Sequence, residues 1–235
     1  MITEAIILAG GMGTRLQAVV NDVPKCLAPI NGAPFLGYLL HYNHAQGINH
    51  FVLSVGYKAD KIKDYISSLK LTFSISYCEE TKPLGTGGAI LQSLNYITTN
   101  NVIVLNGDSL FNYKMPELLH THTTSQATCT VALKPMRNYN RYGSVSLTGS
   151  TVTQFHEKKQ VAQGLINTGV YMVNTKKLKA IKLPPVCSFE TAYLQENTST
   201  NAIHGCVQDA YFLDIGIPED YKQAQTDFKL FTHVS

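Results

Sequence analysis

Gly10, Gly11 and Gly13 follow the apolar run Ala5-Ile6-Ile7-Leu8-Ala9 and lead directly into Thr14 and Arg15. A buried strand ending in such a loop lets backbone N–H groups approach an anion with no side chain in the way. A guanidinium beside it adds a planar fork that matches phosphate oxygens. The glycines alone would serve a tight strand-to-helix turn equally well; Thr14 and Arg15 turn the reading towards phosphate. The loop is not a Walker A sequence, because no Gly-Lys-Ser/Thr follows at the required spacing. It also lacks the third glycine of a dinucleotide fingerprint.

Other reactive side chains recur at comparable positions. Asp108, in Asn106-Gly107-Asp108-Ser109, directly follows the apolar run 102–105. A carboxylate there suits Mg²⁺, although Asn-Gly-Asp is also ordinary turn chemistry. Asp214, in Phe212-Leu213-Asp214-Ile215-Gly216, repeats the pattern. Mg²⁺ is usually held by one or two carboxylates plus substrate phosphates, so the pair makes a coherent site that neither makes alone. Lys25 sits between Pro24 and Cys26 in a stretch that prolines keep extended. Alone it reads as a surface lysine; with Arg15 it supplies a second cation for a polyphosphate, whose chemistry depends on positioning and charge neutralisation.

Glu157-Lys158 closes a strand-like run with a carboxylate for sugar hydroxyls and an ammonium for a phosphate, or simply with a solvated pair. Gly169, in Asn167-Thr168-Gly169, interrupts another such run, as glycines do where a ligand or a neighbouring backbone comes close; Arg141-Tyr142-Gly143 has the same character. His120 and His122 have a metal-compatible spacing, but their Thr-rich surroundings offer no carboxylate or cysteine partner and favour exposed histidines. Cys26 reads as a small packing residue rather than an activated thiol.

The elements that must carry these residues alternate. Strands are expected at 51–55, 73–77 and 102–105, and helices at 35–46, 60–69 and 83–94, an order that argues for βαβ units around a largely parallel sheet. The second half is richer in strands, at 127–133, 143–147, 152–156 and 165–173. Helical pieces follow at 176–181 and 188–196, then a last strand at 212–214 and a helix led in by Pro218-Glu219-Asp220. Ligands of open α/β sheets bind beyond the carboxyl ends of strands. The segments 10–15, 79–88, 106–109 and 214–216 all fall at such ends.

Composition narrows the class. The 235 residues can bury a substantial core, and with no composition break or internal repeat one domain over 1–235 is expected. Net charge is +3 with no Lys/Arg run, which argues against a nucleic-acid partner. The five cysteines are scattered and form no CxxC pair, so neither a disulfide framework nor a zinc site is expected. That usage fits a reducing, cytoplasmic setting. With a core strand at once at the N-terminus and no apolar stretch of spanning length, no signal peptide or membrane anchor is expected.

With these residues in place the chain resembles the sugar-1-phosphate nucleotidyltransferases from Ala5 to about Tyr221. The resemblance is carried by 8–16, Pro24-Lys25, 83–89, Asn106-Gly107-Asp108, Glu157-Lys158 and Asp214-Ile215-Gly216. Through Arg141-Tyr142-Gly143, 164–171, Ser188-Phe189-Glu190 and 212–221 it most resembles the D-glycero-D-manno-heptose 1-phosphate guanylyltransferase branch. Mannose-, glucose- and N-acetylmuramate-1-phosphate enzymes share most of the motifs. The resemblance implies an α/β, Rossmann-like three-layer (GT-A-like) fold with a mixed, mainly parallel central sheet. It implies a reaction in which the sugar phosphate attacks the α-phosphorus of a nucleoside triphosphate and pyrophosphate leaves.

By the same carry-over, Leu8, Ala9, Gly10, Gly11, Gly13 and Thr14 border the nucleotide together with Glu80, Pro83, Gly85, Thr86, Gly88 and Gly107. Arg15 holds the leaving pyrophosphate and Lys25 meets charge at the α-phosphoryl group; with Asp108 they form the catalytic set. Asp108 and Asp214 bind Mg²⁺. Tyr142, Gly143, Glu157, Lys158 and Asn167 take the sugar phosphate. Guanine offers two N–H donors that a carboxylate accepts well, against one in uracil or thymine, so Glu79 or Glu80 favours GTP.

The implied partners are GTP or another nucleoside triphosphate and a sugar 1-phosphate, with self-association left open. Two other classes are weighed against this one. A glycosyltransferase on a similar fold would carry Asp-x-Asp, which the sequence lacks. A non-catalytic nucleotide-sugar sensor would be free to lose Arg15, Lys25 or Asp108, all of which are present.

Overall fold

The computed structural model describes residues 2–11, 16, 20 and 23–228. The apolar run at the N-terminus is β1 (Glu4–Leu8). A 3₁₀ turn over Lys25–Leu27 and a small ribbon of β2 (Pro29–Ile30) with β3 (Ala33–Pro34) lead into α1 (Phe35–Ala45). Then come β4 (His50–Val55), α2 (Ala59–Ser67), β5 (Ser74–Glu79), α3 (Gly85–Ser93) and β6 (Asn101–Asn106). Strands β5, β4, β1 and β6 pair in parallel, with Ile6 flanked by Val52 and Val104. Central strands covered on both faces need apolar side chains on both parities. Ala5 and Ile7 accordingly pack with Leu36, Leu40 and Ile62 on one face, and Ile6 with Ile90 and Leu94 on the other.

The chain continues through β7 (Ser109–Phe111), α4 (Met115–Thr124), β8 (Cys129–Tyr139), β9 (Ser144–Thr148), β10 (Thr151–Phe155) and β11 (Val161–Asn174). After α5 (Thr175–Lys179) a π-helical turn spans Glu190–Gln195, followed by β12 (Ile203–Val207), β13 (Phe212–Asp214) and α6 (Pro218–Asp227). Among the described residues nine strands form one sheet, in the order β5-β4-β1-β6-β11-β8-β12-β10-β9.

The sheet is mixed, as expected, but it is mainly parallel only in its first half. Apart from the parallel β8–β12 pair, the second half is antiparallel: β11 against β6, β8 and β9, and β10 against β9 and β12. For β9 and β10 the cause is local, because a hairpin at Gly149-Ser150 joins them, and such short connections reverse the chain where crossover helices do not.

The last expected strand is present but lies outside this sheet. β13 pairs antiparallel with β7, aligning Asp214 with Ser109. Sequence reading did not anticipate β7, β12 or α4. It also misplaced His122, which is buried at 2% exposure on the inner face of α4 with Met115 and Leu118. Its Nδ1 lies 2.9 Å from Thr130 Oγ1 and its Nε2 3.2 Å from Asn101 Oδ1, and burial pulls its pKa down to about 4. His120 is exposed, as expected.

Candidate active site

The β13–β7 ribbon sets two carboxylates side by side. Ile215 N donates to Asp108 O at 2.9 Å, which locks the Asp214 strand end against the Asp108 loop. Lys25 reaches them from the 3₁₀ turn after Pro24: its Nζ is ion-paired with Asp108 and lies 3.6 Å from Asp214 Oδ1. The lysine side chain is only 10% exposed, so this is not a solvated surface charge. Burial and the Asp108 charge push the Asp214 pKa up, and Lys25 opposes the shift. Cys26 is buried and its pKa is pushed up to about 12 by burial and by the Asp108 charge, consistent with a packing residue.

A cavity of about 500 Å³ opens beside this triad. Leu8, Ala9, Gly10 and Gly11 line it beyond β1; Asn106, Gly107 and Asp108 line it beyond β6; Glu80, Pro83, Gly85 and Thr86 line it at the entry to α3. Gly107 N donates to Leu8 O at 3.0 Å, and a Cβ at this position would lie 2.5 Å from that same oxygen, so the strand ends meet only because residue 107 is glycine. Gly13, Thr14 and Arg15 lie outside the described residues.

The two adjacent glutamates separate cleanly. Glu79 pairs with Lys63 of α2 at 2.7 Å and is exposed. Glu80 turns to the cavity, where Oε1 accepts from Ser54 Oγ at 3.0 Å and Oε2 from Leu84 N at 3.0 Å. Ser54 is fully buried, the one polar residue in the run 51–55, and that interruption was the sequence signal for its role in fixing Glu80.

Gly88, expected against the nucleoside, faces elsewhere: a Cβ there would lie 2.3 Å from Pro185 O. Gly85 has φ +69° and lines the cavity, while its hypothetical Cβ would meet Cys187 O at 2.4 Å. These glycines let the 185–187 segment lie across the start of α3.

On the second half of the sheet the expected residues are more dispersed. Tyr142 packs edge-on against Phe212, with ring centroids 5.5 Å apart, and accepts from Arg141 Nη2 at 2.8 Å. Burial and the Asp214 charge push its pKa up to about 12. Arg141 is ion-paired with Asp220 in the first turn of α6. Tyr142, Arg141 and Asp214 share a second hollow of about 280 Å³, so Asp214 stands between the Lys25–Asp108 pair and this space.

Gly143, Glu157, Lys158 and Asn167 line neither hollow. Gly143 lies against His156 O, and Glu157 and Lys158 are exposed in the turn after β10. Asn167 stands at an irregularity in the β11–β8 register; its Oδ1 accepts from Gly169 N at 3.0 Å and its Nδ2 donates to Tyr171 OH at 2.9 Å. Ser188-Phe189-Glu190, which carried no assigned role in the sequence, brings Glu190 to Thr86 on the cavity wall.

A cavity at parallel strand ends, a buried lysine between two carboxylates and an inward glutamate form an arrangement that can handle phosphate. Comparison with known proteins supplies the family. The family model described as nucleotidyl transferase matches residues 4–229. The chain is 42% identical to D-glycero-alpha-D-manno-heptose 1-phosphate guanylyltransferase of Aneurinibacillus thermoaerophilus, covering 96% of this chain and 98% of that one. It is 41% identical to the enzyme of the same name from Campylobacter jejuni, over 93% and 96% of the two chains. The crystal structure of HddC from Yersinia pseudotuberculosis complexed with GMP-PN superposes with a TM-score of 0.86 at 34% identity, covering 97% of this chain and all of that one. With a family match over almost its whole length and relatives matched nearly end to end, the chain belongs to the nucleotidyl transferase family.

Proposed function

We propose that this chain, acting as one nucleotidyltransferase domain in the cytoplasm, transfers GMP from GTP to D-glycero-α-D-manno-heptose 1-phosphate, giving GDP-heptose and pyrophosphate. The observation that carries the reading is the meeting of Lys25 and Asp108 in the lining of a cavity that the glycine-loop strand end and Glu80 also wall, with Asp214 beside Lys25. The sugar choice rests on the two heptose 1-phosphate guanylyltransferases to which the chain is 41–42% identical.

The incoming phosphate is already an anion, so no separate general base is required. Lys25 meets the charge that develops on the α-phosphoryl oxygens, and Arg15 holds the pyrophosphate as it leaves. The donor set fits Mg²⁺: two hard carboxylates stand on either side of Lys25. That pattern suits an ion that takes its remaining ligands from substrate phosphates and water. Asp108 and Asp214 would hold it, and it would supply charge neutralisation on the triphosphate.

Glu80, with its carboxylate anchored by Ser54 and Leu84, accepts from the guanine N1–H and exocyclic amine. Tyr142, Gly143, Glu157, Lys158 and Asn167 receive the sugar phosphate. The test is a matrix of nucleoside triphosphates against sugar 1-phosphates with Mg²⁺, read as pyrophosphate release and product mass. GTP with the heptose phosphate should give the highest kcat/KM. Release from no pairing overturns the transferase reading; a preference for UTP or dTTP overturns the guanylyl assignment, and one for mannose 1-phosphate overturns the heptose.

A further inference from the structure

We infer that Glu190 is a positioning residue that sets the orientation of the Asn167 amide and links that residue on β11 to Thr86 in the cavity lining. The inference rests on the reading above in which Asn167 meets the sugar phosphate. Glu190 opens the π-helical turn behind α3, immediately after buried Phe189. Its partners are three hydroxyl groups: Thr86 Oγ1 at 2.8 Å and Ser188 Oγ at 2.9 Å donate to Oε2, and Tyr171 OH at 3.3 Å donates to Oε1.

The direction of each bond follows from the donor inventory. A carboxylate only accepts, so Tyr171 must spend its single proton on Glu190. The phenol oxygen can then only accept from the next residue, and it does, from Asn167 Nδ2 at 2.9 Å. Burial, followed by the Glu190 charge, holds the Tyr171 pKa well above its ordinary value, which keeps that proton in place. At the far end Asn167 Oδ1 accepts from Gly169 N at 3.0 Å. A flipped amide would set two acceptors against each other at Tyr171 and two donors at Gly169. Asn167 is therefore held with one N–H left over for an oxygen acceptor of the substrate.

The other branch runs to the nucleotide side. Thr86 Oγ1 accepts from Phe189 N at 2.8 Å while donating to Glu190, and Thr86 lines the main cavity. One carboxylate thus orders both Thr86 in the cavity lining and, through Tyr171, Asn167 on β11.

Replacing the carboxylate by an amide reverses the relay without changing its size. In Glu190→Gln the amide oxygen can still accept from Thr86 and Ser188, but its NH₂ now donates to Tyr171, whose proton is pushed towards Asn167. Tyr171→Phe cuts the same branch while keeping the ring. Both variants, with Asn167→Ala as reference, are assayed for KM of sugar 1-phosphate and of GTP, with thermal melting recorded alongside.

The expected result is a rise of about tenfold in sugar 1-phosphate KM for Glu190→Gln and Tyr171→Phe, the scale of one lost hydrogen bond, with GTP KM changed by less than about twofold. If Asn167→Ala raises the sugar KM and the two relay variants leave it unchanged, or raise both KM values alike, the positioning role is overturned while the site reading stands. If Asn167→Ala itself leaves the sugar KM unchanged, the placement of the sugar fails and the inference falls with it. Should Glu190→Gln not fold, Tyr171→Phe decides alone.

Discussion

The wall built by β1, β4 and β6 differs from the wall built by β8 to β11 in what fixes its side chains. On the first wall the strand ends are clamped by backbone contacts such as Gly107 N to Leu8 O, and Lys25, Asp108 and Glu80 each have a partner that determines where they point. On the second wall Asn167 is held by a chain of side-chain hydrogen bonds, while Glu157 and Lys158 stand exposed in a turn. Parallel strands buried on both faces leave little freedom at their ends; antiparallel hairpins with one wet face leave much more. In the proposed reading, the part of the reaction common to any nucleotidyl transfer falls on the rigid wall and the recognition of a particular sugar on the adaptable one.

The sharpest test of that contrast removes charge at the rigid end. Lys25→Met should lower kcat by about 10²–10³, the size seen when one preorganised stabilising group is lost. Asp108→Asn should do at least as much and should also weaken the dependence of turnover on Mg²⁺. Steady-state kinetics with a Mg²⁺ titration checks both. If either variant turns over at the wild-type rate, the rigid wall is not where the chemistry occurs.

A second test addresses the seam between the two halves. His122 lies against Asn101 of β6 and Thr130 of β8, strands that flank β11. Its pKa is about 4 in the folded protein, below the 6.5 of an unperturbed histidine. Between these values the unfolded chain binds more protons than the folded one, so stability rises with pH from about 4 to 6.5 and is level above. The full contribution is ~3 kcal/mol by the linkage of 1.36 kcal/mol per pKa unit. His122→Asn should therefore lose most relative to wild type at neutral pH, with the gap narrowing towards pH 4 in urea unfolding. A gap of constant size across that range would show that the ring does not titrate as buried.

These elements also mark what the sequence made legible. The continuous apolar runs of β1, β4 and β6 announced strands buried on both faces, and their ends located Gly10, Gly11, Gly107 and Asp108 without any coordinates. By contrast α4 offers only Met115, Leu118 and a histidine as its inward stripe, so its periodicity is lost among threonines. β12, Ile203-His204-Gly205-Cys206-Val207, carries a histidine and a glycine where a strand pattern needs apolar residues.

The choice between Glu79 and Glu80 was illegible for a different reason. Phe73, Ile75 and Tyr77 mark an apolar face of β5, and Glu79 shares their parity. That face packs towards α2, where Lys63 waits; the cleft lies on the opposite face, with Cys78 and α3. Alternation within one strand tells which residues share a face, not which face bears the site. Asp214 belongs with these cases, since its strand was read correctly but its partner strand β7 was not.

Glu80 gives the third test, on the rigid wall but concerned with selectivity. Glu80→Gln keeps the shape and can still accept from Ser54, yet it offers one acceptor oxygen in place of two. GTP KM should rise about tenfold, as for a lost hydrogen bond to a charged group, and the preference for GTP over UTP should fall by a similar factor with kcat little altered. An unchanged GTP:UTP ratio would remove Glu80 from base recognition and leave it as the anchor of Ser54 and Leu84.

The smallest effect is expected on the adaptable wall. Lys158 is exposed in the turn after β10, where a single charge is well screened by water. Lys158→Ala should raise sugar 1-phosphate KM only about threefold at low ionic strength, within the range for an exposed ion pair, and leave GTP KM and stability unchanged. Added salt should shrink the difference between variant and wild type, because the Debye length falls from about 30 Å at 0.01 M to about 8 Å at 0.15 M. A loss of several hundredfold that resists salt would mean that the turn closes over the substrate and buries this lysine. In that case the second wall becomes as rigid as the first once the sugar phosphate is bound.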